Sequence, residues 1–234
     1  MAVYDLEEQE KIDNIKAWWS QYGNRIAWSL LTVAVVFAAW RGWGWHQDRQ
    51  AIEAGAVFHE LQQALASNPQ QARVIAGKLT EEYGGTAYAP LGALMAARAS
   101  FESGDLKTAR AQLRWVVEHG EAELRDIARL RLAGVMLDDK AYDEALAELA
   151  HVPVAPLVAA YAELKGDVLV AQEKPEEART AYKAALTTLE QEAKEAESKK
   201  TDAKNEPPEN AEETPRGPLV EVLRQKLDAL GGEA

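Results

Sequence analysis

The chain has no cysteine, which excludes disulfides, thiolate metal sites and a lipidated N-terminal cysteine and leaves reducing and oxidising compartments equally open. Positive charge is scarce as well, with 26 Lys and Arg against 38 Asp and Glu and a net charge of −12. That is the wrong sign for a phosphate-binding surface, so nucleic acid is excluded as a partner class and anionic lipid surfaces are poor candidates. Catalytic signatures are missing too. The four histidines (His46, His59, His119, His151) show no metal-ligand spacing, and there is no HExxH, no Gly-rich phosphate loop and no GxSxG. The nearest miss, "FHELQQ" around His59, lacks a second histidine four residues on. No catalytic, cofactor-binding or metal-binding residue is therefore expected, and the reading is of a chain that is not an enzyme. Long apolar runs are absent but for one.

That run is "NRIAWSLLTVAVVFAAWRGWGW", Asn24 to Trp45. It is uncharged from Ile26 to Trp40, and carried on to Trp45 it reaches the roughly 20 residues that a hydrocarbon core of about 30 Å requires. Only Arg41 interrupts it, and so long a side chain can snorkel to the interface. Six of the seven tryptophans lie between residues 18 and 45. Trp18, Trp19 and Tyr22 precede the run while Trp40, Trp43 and Trp45 follow it, the two-sided aromatic belt of a helix anchored at both membrane interfaces. A cleaved signal peptide competes, since Val36-Phe37-Ala38 offers small residues to a peptidase, and so does a buried core helix. Against the signal peptide stand the long acidic flank, with Asp5, Glu7, Glu8, Glu10 and Asp13 against Lys11 and Lys16. Lys11, Lys16 and Arg25 before the span against Arg41 and Arg49 after it give a thin margin for a cytoplasmic N-terminus and a translocated C-terminal domain.

From Gln47 onward the chain is rich in Ala, Leu, Glu, Gln and Arg and is broken at short turn signals ("SNP", "YGG", "SGD", "HG", "DDK", "HVPVAP", "EKP"). These delimit four helical hairpins: 47–66 with 69–83, 88–102 with 105–118, 121–138 with 141–150, and 155–172 with 175 to about 190. The second helices align on Ala72, Ala109, Ala145 and Ala178, with spacings of 37, 36 and 33 residues. The pattern resembles a degenerate tetratricopeptide repeat, nominally 34 residues. A small residue there lets the two helices of a hairpin cross closely. Stacked hairpins leave a concave face lined by the first helices, and on this register it would carry Leu91, Leu94, Arg98, Phe101, Ile127, Leu130 and Leu137 as a candidate partner groove. The competing reading is that these apolar residues are ordinary core. Only Arg98 and Arg131 are at hand for a carboxylate clamp, too few for one.

The stretch from Glu190 to Arg216 mixes charges with three prolines and no aromatic, and cannot bury enough surface to offset its chain entropy. It is expected to be flexible, at least after Lys200. "GPLVEVLRQKLDALGG" then resumes helical periodicity with Leu219, Leu223, Leu227 and Leu230 on one face, as a helix that closes the last hairpin or as a free helix that docks on a partner. The organisation is thus all-α: residues 1–24 cytoplasmic, 25–45 transmembrane, 46–190 a tetratricopeptide-like solenoid, 191–216 a flexible charged linker and 217–234 a closing helix.

The order of parts is itself distinctive. An acidic start "DLEEQEKIDNIKAWWSQYG", a single anchor closed by "AWRGW" and "HQDRQ" leading into the hairpins resemble the ancillary subunit of the SecYEG translocon, the YfgM family of Gram-negative inner-membrane proteins. The charged linker looks like an insertion relative to that family. The resemblance implies a non-catalytic periplasmic repeat domain tethered to the inner membrane, associated with the translocon and with the membrane-anchored periplasmic chaperone PpiD. A secreted soluble scaffold for envelope assembly, with a cleaved signal, is the alternative.

Overall fold

The computed structural model describes residues 3–202 and 216–231. Among them the helices are α1 (Val3–Ser67), α2 (Pro69–Glu82), α3 (Tyr88–Glu102), α4 (Leu106–His119), α5 (Ala122–Asp138), α6 (Tyr142–Leu149), α7 (Val158–Ala171), α8 (Pro175–Asp202) and α9 (Arg216–Ala229), with a 3-10 turn at Ala155–Leu157 and no strand. The all-helical expectation holds. The chain divides into two compact units, Met1–Glu53 and Ala54–Ala234.

In the second unit four hairpins follow one another: the end of α1 with α2, then α3 with α4, α5 with α6, and α7 with α8. The alanine register is a packing register. Ala109, Ala145 and Ala178 are fully buried and Ala72 nearly so. Three of the four hairpin turns also carry a backbone signature. Gly104, Lys140 and Glu173, each five residues before an aligned alanine, have φ of 78°, 60° and 61°. There the next backbone N–H reaches back to the preceding helix, from Asp105 to Ser100 O (2.8 Å), from Ala141 to Met136 O (2.8 Å) and from Lys174 to Leu169 O (2.9 Å). This left-handed closure satisfies carbonyls that the helix end would otherwise leave without a donor. Asp105 then starts α4 by accepting from the Thr108 backbone N–H at 3.1 Å, and the two hydrogen bonds it accepts from Thr108 hold its carboxyl below the usual range.

A second repeat-phased element joins successive hairpins. The residue after the aligned alanine is arginine in three of the four: Arg73 pairs with Asp105 at 2.6 Å, Arg110 with Asp139 at 2.7 Å and Glu144 at 2.5 Å, and Arg179 donates to the Leu230 carbonyl at 2.5 Å. In the third hairpin the position is Leu146, which packs on both neighbouring apolar clusters.

Helix α8 runs on to Asp202, well past residue 190, so the expected linker does not begin at 191. Glu190 with Lys194 and Glu195 with Lys199 have the i,i+4 order that supports a solvated helix. The core of the linker expectation, 203–215, lies outside the described residues. Beyond it α9 packs on α7 and α8, burying Leu223 and Leu227 completely or nearly so, with Leu219 and Leu230 at the edge. Lys226 fastens the seam: its ammonium contacts Asp167 at 2.7 Å and Glu163 at 2.9 Å, and Asp167 also accepts from the Tyr182 hydroxyl at 2.7 Å.

Candidate functional site

The first helices of the second and third hairpins, α3 and α5, line an open cavity of about 500 Å³. Ala97, Arg98 and Phe101 form one wall, while Arg131, Gly134, Leu137 and Asp138 form the other. Leu113 of α4, almost wholly buried, closes the floor with Val135. The lining mixes apolar side chains with three charged ones, Arg98 on α3 and Arg131 and Asp138 on α5. The guanidinium of Arg98 is held by Glu102 at 2.8 Å, whose hydrogen bond and charge both raise the pKa of the arginine.

Of the seven residues expected to line a groove, the structure brings Arg98, Phe101 and Leu137 together at this cavity. Leu94 is a correction: at 6% exposure it belongs to the core, because its face of α3 packs with Ala109 and Leu113 rather than opening outward. Leu130 and Ile127 are half-buried, Leu130 against the same core, and Leu91 is exposed away from the cavity. Sequence reasoning missed Gly134. Val170, 33 residues after Leu137 as Leu137 is 36 after Phe101, holds the repeat-equivalent position on α7 and is 41% exposed, outside the cavity.

Groups with displaced pKa lie elsewhere. Burial first, then the Asp126 charge, pushes the Tyr161 hydroxyl up to about 12, and burial together with Asp167 raises that of Tyr182. Both tyrosines belong to the helix seams. Among the described residues no group of His, Asp and Glu has the geometry of a metal site. His119 stacks on Trp115, His59 contacts Gln63, and His151 sits 3.3 Å from Asp126. The cavity has what is needed to receive a side chain; the reactive constellations named above are not built into it.

In the first unit the segment from Trp18 to Trp45 presents apolar side chains outward: Trp28, Leu30, Leu31, Val33, Val35, Val36 and Phe37 are all more than half exposed, as are Trp18, Trp19, Trp40, Trp43 and Trp45, with Tyr22 somewhat less so. Exposure of this kind all around one helix calls for lipid or protein as solvent. Two hydroxyls within it are turned back on the helix, Ser29 donating to Arg25 O and Thr32 to Trp28 O at 2.9 Å each. It is the one described helix long and apolar enough to cross a membrane. Arg49 lies 4.5 Å above the Trp45 ring, a cation–π contact that suits an interfacial position.

Residues 16–206 match the tetratricopeptide repeat-like domain family, a span that takes in the apolar helix and all four hairpins. A curated relative from Neisseria gonorrhoeae, named ancillary SecYEG translocon subunit, is 32% identical over 82% of this chain and 93% of its own length. The chain belongs to this family. Relatives of the same name from Haemophilus influenzae (29% identical; 73% of this chain, 84% of the relative) and Escherichia coli (25%; 80% and 90%) are similar as well.

Proposed function

We propose that this protein is a non-catalytic binding platform, anchored in the inner membrane by residues 25–45 and working beside the SecYEG translocon. Its N-terminal segment is cytoplasmic and its repeat domain periplasmic, where the concave face holds a membrane-anchored chaperone of the PpiD type or an emerging polypeptide. The observation that carries this reading is the family match, which runs through anchor and repeats together rather than through the repeats alone. The cavity between α3 and α5 supports a binding role, since a cavity of this size that mixes apolar and a few charged groups can receive side chains of a partner. Charge points the same way: a net −12 favours solubility and keeps nucleic acid off, without selecting a client.

Photo-crosslinking in living cells tests it. Probes at Phe101 and Leu137 should trap a translocon component, a periplasmic chaperone or a secretory chain. If they trap none while a probe at Val74, exposed on α2, does, the concave face is the wrong surface; silence at every position sinks the translocon reading.

A further inference from the structure

On the apolar part of α1 two grooves run into one another. The lower, of about 350 Å³, is lined by Thr32, Val33, Val36, Phe37 and Trp40. The upper, of about 150 Å³, is lined by Trp40, Arg41, Trp43, Gly44 and Gln47. They share Trp40, and Val33, Trp40 and Gln47 fall at intervals of seven, which on a helix is one face. The lower end is apolar, its one hydroxyl, that of Thr32, being donated back to Trp28 O. The upper end adds the guanidinium of Arg41 and the amide of Gln47 between two indoles.

Length sets the scale of the occupant. Thr32 to Gln47 is fifteen residues, about 22 Å of helix axis. That matches one leaflet, half of the roughly 40–45 Å that a bilayer measures with its headgroups. Arg41 stands nine residues above Thr32, about 13 Å, close to the depth of about 15 Å at which half of the hydrocarbon core ends. A second membrane helix would offer an apolar face on both sides of the midplane, whereas this groove turns from apolar to charged within a single leaflet. A lipid has that gradient, with acyl chain below and phosphodiester above.

Arg41 is also the cation left over. Arg49, two turns on, lies over the Trp45 ring, while Arg41 makes no ion pair or hydrogen bond with a described residue. A guanidinium keeps its charge, so at the edge of the hydrocarbon it needs an oxygen partner, and its planar fork of donors fits a phosphate. Gly44 leaves room beside it, since a Cβ there would meet no atom within 4 Å. The net charge of −12 governs attraction to a charged surface at a distance, which salt screens, and does not oppose one direct contact. We infer that the groove from Thr32 to Gln47 is a binding site for one membrane phospholipid, with its phosphodiester on Arg41, its headgroup within reach of Gln47 and an acyl chain along Val33, Val36 and Phe37. This rests on the anchor in the proposed function and is independent of the translocon.

The test uses the full chain, freed of lipid in maltoside micelles and followed by native mass spectrometry, with dioleoylphosphatidylethanolamine as the probe. Its headgroup carries no net charge, so general attraction is not what is read. Dioleoylglycerol, with the same chains and no phosphate, is the control. The phospholipid should be retained one to one and at least about tenfold more tightly than dioleoylglycerol, the scale of one charge-assisted hydrogen bond. Arg41→Gln should abolish that preference, and Gly44→Leu, which fills the groove, should cut retention at least about tenfold, while the repeat unit melts at the same temperature in both. Arg25→Gln, at the other end of the span, should leave retention unchanged. Equal retention of the two lipids, indifference to Arg41→Gln or Gly44→Leu, an equal effect of Arg25→Gln, or displacement by inorganic phosphate overturns the inference. If Gly44→Leu keeps its lipid but loses copurification with SecYEG, the groove belongs to a protein partner instead. The anchor reading is tested apart: a chain that carbonate extracts from membranes sinks that reading, and one that resists carbonate yet shows no lipid preference sinks this inference alone.

Discussion

Lys140 and Glu173 hold backbone angles that L-residues adopt at a cost of about 1–2 kcal/mol, in the turn where the second hairpin uses Gly104. Lys140→Gly should relieve more strain than the flexibility of glycine costs the folded state, raising stability by about 0.5–1 kcal/mol, or a few degrees in melting temperature. A lower melting temperature would refute the turn geometry. Gly166 makes the opposite case. Its missing Cβ is where the Tyr182 ring lies, so Gly166→Ala must push a buried ring aside at about 1–3 kcal/mol, readable as a drop of several degrees in the same thermal melt. The same range applies to Ala145→Leu, since Ala145 is fully buried at a helix crossing. An unchanged melt for Ala145→Leu would mean that the alanine register is not the packing register.

At the scale of elements, α9 behaves as a lid on an open end. It hides Leu223 and Leu227, and Leu223→Ala should cost about 2–5 kcal/mol by leaving a hole against α8. The seam is also pH-dependent. Burial alone would lower the Lys226 ammonium pKa, but hydrogen bonds to Asp167 and Glu163 overcome that and leave it raised above 10.5. Tyr182 and Tyr161 are raised above 10.0, mainly by burial. All three folded values exceed the unfolded ones, so their contribution is complete below about 10 and is lost as pH climbs through the folded values. Proteolysis at α9, or a melt followed from pH 9 to 12, should show the C-terminal seam loosening on the alkaline side. Constant stability across that window would argue against the Lys226 cluster.

Much of this scale was legible in the sequence. Turn signals placed the hairpin helices within a few residues because Asn68, Asp105 and the proline and glycine breaks act locally. The end of α8 was misjudged because a mixed-charge segment reads as solvated chain, whereas its i,i+4 order also suits a solvated helix. Leu94 was misplaced because α3 is apolar on more than one face, with Ala93, Ala96 and Ala97 all buried, so periodicity could not separate core from groove. That Gly134 lines the cavity depends on the space left between two helices, which no spacing in one chain reports.

For the whole molecule, the proposed function would rest on the pairing of a shallow site with an anchor. A cavity that takes one or two side chains belongs with interfaces below roughly 1,200 Å², which bind weakly in free solution. Confinement to one membrane changes that, because two tethered partners meet at an effective concentration that short connections bring to about the millimolar range. On the proposed reading the anchor would contribute to occupancy as well as to address. On this argument the chemical identity of residues 25–45 matters less than their presence. Replacing them with an unrelated apolar helix of equal length should preserve crosslinking from Phe101 and Leu137, while a version released from the membrane at equal abundance should lose most of it, and the thermal melt of the repeat unit should be the same in both. Crosslinks that survive release would show that the groove binds tightly unaided; crosslinks that the foreign helix fails to restore would show that Trp28, Phe37 and their neighbours touch the partner within the membrane themselves.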